Sequence, residues 1–338
     1  MITLFAADIG GTKSELAIFP LAGSDSKALL QKRYSNAEFS GIEEIIEKFL
    51  AEADLLPQFG CLAVAGVVSD DRAQLTNLPW RVDCRLLEKR FGFHRVILIN
   101  DLTAVCSSLF MLGKVDLLEI QSADGHGEVR GVVAPGTGLG EGLLVEFGGK
   151  VYARGSEGGH SDFAPVDEEQ LALLGWMQKK MQPVSYEALI AGPGLANIYD
   201  FYKEYHQMKE SPWIVEAMHQ AKDRIPVIVG GVTGKIGGKT CPLCRRVIDL
   251  FLSILGSEAG NLALKLYAKG GIYLGGGILP RLVKHVTFDG FLKSFQAKGQ
   301  MSGLMKEIPV YLILRKDAAL IGTVSFARQE LKEWNSDE

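Results

Sequence analysis

Residues 3–19, which read TLFAADIGGTKSELAIF, contain two strand-like runs, Thr3–Ala7 and Glu15–Phe19. Between them lies the turn Asp8-Ile9-Gly10-Gly11-Thr12-Lys13, which contains two adjacent glycines. This pattern predicts a β-hairpin with a glycine-rich turn. The short apolar runs Cys61–Val68 and Val96–Ile99 are typical of buried strands.

The same strand, glycine turn and strand plan returns later, where Val132–Ala134 and Leu143–Phe147 flank residues 135–142. Apolar residues at helical spacing predict helices in residues 42–50, 167–181, 195–206, 214–222, 244–268 and 317–334. The hydroxyl of Ser40 is predicted to cap the first of them. Residues 121–131 contain polar residues and glycines without a sustained apolar period, which indicates a surface loop. Other strand-like runs are Ile225–Val229, Gly271–Leu274 and Val310–Leu314. Alternating strands and helices predict an α/β protein.

The composition limits the class of partner. The chain has 338 residues, with 36 Lys and Arg against 40 Asp and Glu, a net charge of −4 and 47% hydrophobic residues. This length favours two domains, and the lack of a basic block argues against nucleic acid or an acidic membrane as a partner. The first residues lack the pattern of a targeting segment. The 5 cysteines, an odd number, are expected to be reduced thiols. The sequence therefore predicts a cytoplasmic protein that binds small molecules.

Three glycine clusters at predicted strand ends suggest a nucleotide site: Asp8-Ile9-Gly10-Gly11-Thr12, Gly136-Thr137-Gly138-Leu139-Gly140 and Gly275-Gly276-Gly277. Unobstructed backbone N–H groups in such turns can surround phosphate oxygens, and a flat base can lie against glycine backbone. Asp8 is placed to hold Mg²⁺ through water, although an aspartate at this position can also simply cap the turn. Together the clusters suggest a nucleotide held between two domains.

Asn100 and Asp101 follow the strand-like run Val96–Ile99 and begin the segment Leu102–Leu112. Ligands of open α/β sheets collect at such carboxyl ends of strands. One interpretation is that Asn or Asp caps the next helix. The other is functional: the Asp101 carboxylate accepts a proton from a substrate hydroxyl while Asn100 orients another hydroxyl.

Acidic and imidazole side chains follow the second glycine turn, in Glu157-Gly158-Gly159-His160 and at Glu187. Hydrogen bonds that sugar hydroxyls donate to carboxylates contribute about 1.5–3 kcal/mol each, so a few of them can hold and orient a hexose. The alternatives are a structural histidine at 160 and an ordinary helix-surface acid at 187.

Two further motifs are less complete. Residues 233–240, after the strand-like run Ile225–Val229, nearly match the phosphate-binding loop G-x-x-x-x-G-K-[ST], but Thr233 stands in place of the first glycine, which favours a surface loop. Cys241 and Cys244 have the spacing of a metal or redox site, but no second pair completes four tetrahedral ligands. A free-thiol helix start is the favoured interpretation.

The ordered set of motifs resembles bacterial glucokinases of the hexokinase superfamily. The resemblance extends over nearly the whole chain and is most specific in residues 155–165, GSEGGHSDFAP. It includes Asn100-Asp101-Leu102-Thr103-Ala104, Gly192-Pro193-Gly194, Cys244-Arg245-Arg246, residues 275–281 and residues 317–322. The sequence lacks the cysteine-rich signature of the ROK sugar kinases and a basic DNA-binding arm, which argues against their repressor branch and favours a non-ROK glucokinase.

The resemblance implies a two-domain, actin-like ATPase fold of the ribonuclease H-like type, with a cleft between a smaller and a larger α/β domain. The small domain would comprise residues 1–108 completed by residues 315–338, and the large domain residues 109–314. The implied activity is transfer of the ATP γ-phosphoryl group to the 6-hydroxyl of glucose, and family members are commonly homodimers.

The resemblance also assigns roles to individual residues. Asp101 would be the catalytic base, and the sugar ligands would be Asn100, Asp101, Glu157, His160 and Glu187. The phosphate and Mg²⁺ cradle would comprise Asp8, Gly10, Gly11, Thr12, Gly136, Thr137 and Gly138, and the adenosine contact Gly275, Gly276 and Gly277.

Three other functions remain open at this stage. The first is a kinase for another hexose, since epimers differ by one hydroxyl. The second is a non-catalytic, actin-like ATP-binding switch, which shares the glycine turns but does not need the sugar ligands. The third is a phosphate-loop enzyme that uses Lys239.

Overall fold

The computed structural model describes residues 1–23, 27–76 and 78–334. Strands β1–β14 span Thr3–Ile9, Lys13–Pro20, Leu30–Ser35, Phe59–Val64, Gly66–Ser69, Arg72–Leu75, Arg81–Asp83, Arg95–Asn100, Leu117–Gln121, Val129–Pro135, Leu139–Phe147, Lys150–Ser156, Ile272–Leu274 and Val310–Ile313. Helices α1–α13 span Ile42–Ala51, Cys84–Phe91, Asp101–Ser108, Glu168–Met177, Glu187–Ile190, Gly192–Glu204, Pro212–Gln220, Ile225–Thr233, Pro242–Leu266, Leu279–Leu282, Asp289–Gln296, Ser302–Lys306 and Ala318–Trp334. The predicted α/β class is confirmed.

A five-stranded sheet with the order β3-β2-β1-β4-β8 contains the amino-terminal hairpin. The antiparallel register runs from Thr3↔Pro20 to Ile9↔Ser14, so residues 10–13 form the turn. Strand β4 pairs in parallel with both β1 and β8. The carboxyl ends of β1 and β8 therefore lie at the same edge of the sheet, which brings Asp8 and Asn100 to that edge.

The alternating side chains of β1 serve two separate cores. Phe5, Ala7 and Ile9 pack in a cluster with residues of α1, whereas Leu4 and Ala6 pack in a cluster with residues of α13. This period of two is what a strand buried on both faces requires. Helix α13 thus covers one face of the first sheet although it lies at the other end of the chain.

A six-stranded sheet repeats the plan of the first, in the order β12-β11-β10-β13-β14-β9. Its first five strands have the same order as those of the first sheet, and β13 pairs in parallel with β10 and β14. The repetition suggested by the two glycine turns is confirmed. Strand β9 is an additional antiparallel edge strand, which the sequence analysis did not predict.

Helix α9 is the central element of the largest hydrophobic cluster, to which Val247, Phe251 and Leu255 belong. Among the described residues it is the one helix whose length and mean hydropathy, 1.4, would suit a membrane span, and 78% of its most apolar window is buried. A central helix in the core of a water-soluble domain has the same properties.

The chain divides into two compact units. Unit 1 comprises residues 1–116, 142–155 and 315–338, and unit 2 comprises residues 117–141 and 156–314. These units differ from the predicted domains at residues 109–116 and 142–155, and the predicted domain bounds stay a proposal. Residues 335–338 of the predicted small domain lie outside the described residues.

The strand predicted at Ile225–Val229 is wrong, because these residues begin helix α8. Pro226 occupies the first turn of this helix, and Gly234 ends it in the left-handed conformation with φ 75°. A short apolar run that is buried all round does not distinguish a strand from a buried helix. Without a preceding strand, residues 233–240 also lack the strand, loop and helix context of a phosphate-binding loop.

Two smaller predictions also need correction. The run Cys61–Val68 is two strands, because the chain leaves the first sheet after Val64 and β5 pairs with β6 in a separate three-stranded sheet. The first helix is capped by Gly41 and not by Ser40. Ser40 instead donates hydrogen bonds to Glu44 Oε2 from its backbone N, at 2.8 Å, and from its hydroxyl, at 2.9 Å.

Helices α3 and α13 approach closely at Gly322. A Cβ atom at this position would lie 1.8 Å from the carbonyl oxygen of Ala104. We expect Gly322→Ala to lower the free energy of unfolding by about 3 kcal/mol, because the backbones must separate. The measurement is a urea titration followed by circular dichroism. Gly175→Ala in α4 is the control: its Cβ meets open space, so it should stabilise the helix by up to about 1 kcal/mol. An unchanged urea midpoint for Gly322→Ala would contradict the packing argument.

Candidate active site

The first glycine turn is fixed by a buried asparagine that the sequence analysis did not single out. Asn36 is 2% exposed and its Nδ2 donates to the carbonyl oxygen of Gly10 at 2.8 Å. Its backbone N donates to the carbonyl oxygen of Thr12 at 3.0 Å, and its Oδ1 accepts from the Ser14 hydroxyl at 2.7 Å. The turn therefore has a defined shape without any ligand.

Asp8 lies near the end of β1, half-buried, in a surplus of negative charge. Its pKa is raised from 3.8 to about 7, first by burial and then by the charges of Asp101 and Glu15, while Arg33 acts to lower it. A cation beside Asp8 would relieve this repulsion. The arrangement favours a charged partner over the interpretation that Asp8 only caps the turn.

The donor set in unit 1 fits a magnesium ion carried by a nucleotide. Within the described ranges, no group of three or more His, Cys, Asp and Glu side chains could hold a metal ion. Mg²⁺ keeps several water molecules and needs only one or two carboxylates beside substrate phosphates. Asp8 and Asp101 are two such carboxylates, and each raises the cost of the other's charge.

Asn100 and Asp101 have different local roles at the junction of β8 and α3. Asn100 is the N-cap: its Oδ1 accepts from the backbone N of Leu102 at 2.9 Å and of Thr103 at 3.3 Å. Its Nδ2 donates to the carbonyl oxygen of Gly66 at 3.3 Å. The capping interpretation therefore holds for Asn100, whose side-chain oxygen is fully used.

Asp101 is the first residue of α3 and is half-buried. Its Oδ1 accepts from the backbone N of Leu102 at 2.9 Å. The helix amino terminus and the fixed Asn100 cap hold this carboxylate at the strand end. A cap residue and an adjacent base are compatible, so the two interpretations of this pair do not exclude one another.

The second glycine turn, between β10 and β11, is linked to Glu187. The backbone N of Leu139 donates to Glu187 Oε2 at 2.9 Å, and a Cβ at Gly138 would lie 2.7 Å from the same oxygen. The carbonyl oxygen of Gly136 accepts from the backbone N of Gly192 at 2.8 Å. A predicted phosphate turn and a predicted sugar ligand are thus in direct contact within unit 2.

The three acidic and imidazole side chains predicted to bind a sugar lie together on unit 2. His160 Nδ1 is 3.8 Å from Glu187 Oε1, and His160 Nε2 is 3.9 Å from Glu157 Oε2. The side chains of Glu157 and His160 are 73% and 63% exposed. His160 is therefore not buried, and Glu187 contacts both His160 and the second glycine turn. Their role as sugar ligands stays a prediction.

The third glycine cluster lies against the end of β10. The backbone N of Gly275 donates to the carbonyl oxygen of Val133 at 2.8 Å. Gly276 has φ 77°, and a Cβ there would lie 2.1 Å from the carbonyl oxygen of Pro135. A Cβ at Gly277 would meet open space. The close approach explains glycine at 276, and the open side at 277 leaves room for a ligand.

The motifs that resembled other sites have structural explanations. The Lys239 ammonium lies over the Trp213 ring, 4.5 Å from its centroid. Cys241 caps α9, and it and Cys244 are buried free thiols, as are Cys61, Cys84 and Cys106. A hydrogen bond from Cys244 lowers the pKa of Cys241. The prediction of a free-thiol helix start is confirmed.

Two buried glutamates, Glu141 and Glu258, were missed by the sequence analysis. They are 2% and 0% exposed and lie in unit 2 near the predicted sugar ligands. A signal was present, since Glu258 is a charged residue in the apolar stretch Leu250–Leu262. Charged residues are rarely buried unless they are paired.

Comparisons with known proteins identify one family, and the matches cover nearly the whole chain. A family model described as glucokinase matches residues 5–330. The glucokinase of Nostoc punctiforme is 37% identical over 337 residues, covering 95% of this chain and 98% of the relative. The glucokinase of Escherichia fergusonii is 34% identical over 328 residues, covering 96% of each.

Solved structures agree. The glucokinase from an Antarctic psychrotroph superimposes with a TM-score of 0.80 at 28% identity, covering 96% of this chain and 98% of that one. A ROK family glucokinase from Streptomyces griseus, in complex with glucose and AMPPNP, has a TM-score of 0.66 at 19% identity, covers 97% and 99%, and shows the fold alone. With the matched family model and the full-length relatives, these findings establish that the chain belongs to the glucokinase family.

Proposed function

We propose that this protein transfers the γ-phosphoryl group of ATP to the 6-hydroxyl of glucose. The observation that carries the proposal is His160 between the carboxylates of Glu157 and Glu187, at 3.9 and 3.8 Å, in a chain of the glucokinase family. An imidazole and two carboxylates provide both donors and acceptors for the hydroxyls of one monosaccharide. Such bonds are worth about 1.5–3 kcal/mol each.

Asp101 is proposed as the general base. It takes the proton of the sugar hydroxyl as the new oxygen–phosphorus bond forms, while the bond between the γ-phosphorus and the bridging oxygen breaks and that oxygen leaves with ADP. The Leu102 backbone N fixes one carboxylate oxygen, Oδ1. Asn100 contributes through its Nδ2, because its Oδ1 already accepts two backbone hydrogen bonds.

The glycine turns are proposed to bind ATP. Gly10, Gly11 and Thr12 and, in unit 2, Gly136, Thr137 and Gly138 would surround phosphate oxygens, and Gly275–Gly277 would contact adenosine. Asp8 would hold Mg²⁺ through water, and the ion would neutralise charge on the β- and γ-phosphates. The preformed first turn, fixed by Asn36, supports this assignment because little order has to be gained on binding.

A coupled assay for ADP release tests the proposal across several sugars. We expect glucose to give a kcat/KM at least about tenfold above those of mannose and glucosamine, because a displaced hydroxyl leaves polar groups of the site unpaired. Omission of Mg²⁺ should abolish turnover. Faster reaction of another hexose would make the protein a kinase for that sugar. ATP hydrolysis that is independent of sugar would favour the ATP-binding switch.

Three further properties are proposed from the family resemblance. We propose a homodimer, testable by sedimentation equilibrium, and a cytoplasmic location. The absence of the ROK cysteine-rich signature supports a place outside that branch, even though a ROK family glucokinase shares the fold. No nucleic-acid partner is proposed, because the chain carries no basic block.

A further inference from the structure

Glu141 in β11 and Glu258 in α9 are buried carboxyl groups in unit 2. Each has an oxygen, Oε1, to which no described group donates a hydrogen bond. A buried acceptor without a donor costs free energy, and a buried charge costs more. Two such groups in one place need a physical explanation.

A proton held between the two groups supplies that explanation. Ionised carboxylates only accept hydrogen bonds, so a bond between two of them requires that one be protonated. The pKa of Glu141 is raised from 4.5 to about 7, first by burial and then by the charge of Glu258, with a further contribution from its hydrogen bond to Glu258. Lys265 opposes the rise. Near neutral pH, the Glu141 carboxyl group therefore carries a proton for much of the time and can donate it to Glu258.

The charged and titratable groups around the pair come from α9, from the residue before α5 and from the segment after α11. Lys265 Nζ lies 3.7 Å from Glu258 Oε1. Lys298 Nζ donates to Asn261 Oδ1 at 2.7 Å, and Asn261 Nδ2 donates to Glu258 Oε2 at 2.9 Å and to the Tyr186 hydroxyl at 3.1 Å. The pair is thus linked through Asn261 to the residue that immediately precedes Glu187.

The pair also supports the turn that carries Glu157 and His160. A Cβ at Gly158 would lie 2.1 Å from Glu141 Oε2, so the turn rests directly on this carboxyl group. The Tyr186 backbone N donates to the Ser161 carbonyl oxygen at 3.0 Å, which joins the two supported segments. Gly158 and the Glu141 carboxyl group are therefore in close contact.

We propose that Glu141 and Glu258 are positioning residues: with one proton between them, they hold the 157–160 turn and Glu187 in the arrangement that binds the sugar. This inference rests on the proposed function. When the proton is lost, two adjacent negative charges repel one another in a buried place, the Glu141 carboxyl group moves, and the turn above it moves as well. Glucose binding then weakens, whereas the phosphoryl-transfer groups in unit 1 are not directly affected.

The test compares the parent protein with Glu141→Gln between pH 6 and pH 9, at saturating ATP and Mg²⁺. The amide keeps an N–H donor for Glu258 and cannot ionise. We expect the ratio of the parent's KM for glucose to the variant's KM to rise about three- to tenfold from pH 6 to pH 9. This rise corresponds to a shift of about half to one unit in the pKa of the Glu141 carboxyl group when glucose binds. The ratio of their kcat values should change much less. Other titrating groups, Asp8 included, are common to both proteins and cancel in the ratio.

Glu216→Gln is the matched control, because Glu216 is an exposed glutamate on α7 of the same unit. The KM of this variant for glucose should equal that of the parent at every pH. If Glu141→Gln does not fold, Glu258→Gln provides the same comparison, since its amide donates to Glu141. A parent-to-variant KM ratio that is independent of pH would overturn the inference.

Glucose binding measured by titration calorimetry separates this inference from the proposed function. The dissociation constant should show the same pH-dependent ratio as the KM. Phosphorylation of glucose with a flat ratio overturns the positioning role and leaves the proposed function intact. A parent protein that neither binds nor phosphorylates glucose overturns both.

Discussion

Asp101→Ala is expected to lower kcat for glucose phosphorylation by about 10²–10⁴-fold, while the KM for glucose changes by less than about tenfold. Asp101 is the first residue of α3, and the backbone N of Leu102 donates a hydrogen bond to one of its carboxylate oxygens. The lost contribution is proton removal as the new bond forms. A loss in kcat with little change in KM is the signature of an interaction made in the transition state.

Steady-state kinetics with glucose and with MgATP as the varied substrate provide the measurement. Asp54→Ala is the control, because Asp54 is an exposed aspartate of the same unit; it should behave as the parent. Circular dichroism and glucose calorimetry on Asp101→Ala verify that the variant is folded and binds sugar. A kcat of Asp101→Ala within about threefold of the parent's kcat would show that Asp101 is not the general base.

Mg²⁺ activation is expected to weaken as the pH falls below about 7. The raised pKa of Asp8, about 7, means that the carboxyl group is largely protonated at pH 6, and a cation must then displace the proton. The activation constant for Mg²⁺ should rise by up to about tenfold for each pH unit below 7 and level off above it. Asp8→Asn removes the titrating group, so its activation constant should be about 10–100-fold higher than that of the parent at pH 8.

Activity against free Mg²⁺ at fixed ATP, from pH 5.5 to pH 8.5, measures this effect. Protonation of ATP itself is the same in both proteins, and therefore the ratio of the two activation constants isolates Asp8. Lys239→Ala, on the loop that resembled a phosphate-binding loop, should leave the profile unchanged. An Asp8→Asn profile that coincides with the parent's would show that Asp8 takes no part in holding the cation.

The fold was predictable from local sequence patterns where the spacing of apolar residues and glycines determines the backbone conformation. The alternation around Gly10 and Gly11 predicts the hairpin, and the same plan around residues 135–142 predicts its repetition in the second sheet. At Ile225–Val229 the pattern was ambiguous, since an all-apolar segment buried on every side has neither the period of a strand nor that of a helix.

The proximity of candidate site residues was predictable where one short motif carries several of them, as with Glu157 and His160. The groups that fix these residues were not, because they come from distant segments. Asn36 reaches the first turn from beyond β3, and Glu258 reaches Glu141 from α9. Such pairings depend on tertiary packing, and an isolated Asn or Glu in a sequence gives no sign of its partner.

The central claim is that a γ-phosphoryl group passes from ATP to the 6-hydroxyl of glucose on this protein. Phosphorus-31 NMR of a mixture of the protein with ATP, Mg²⁺ and glucose tests it most directly, because coupling to protons identifies the carbon that bears the phosphate. We predict a new phosphate monoester resonance split by the two protons on C6, growing as ADP accumulates. A phosphate on another carbon, or inorganic phosphate and ADP without a sugar phosphate, would contradict the account.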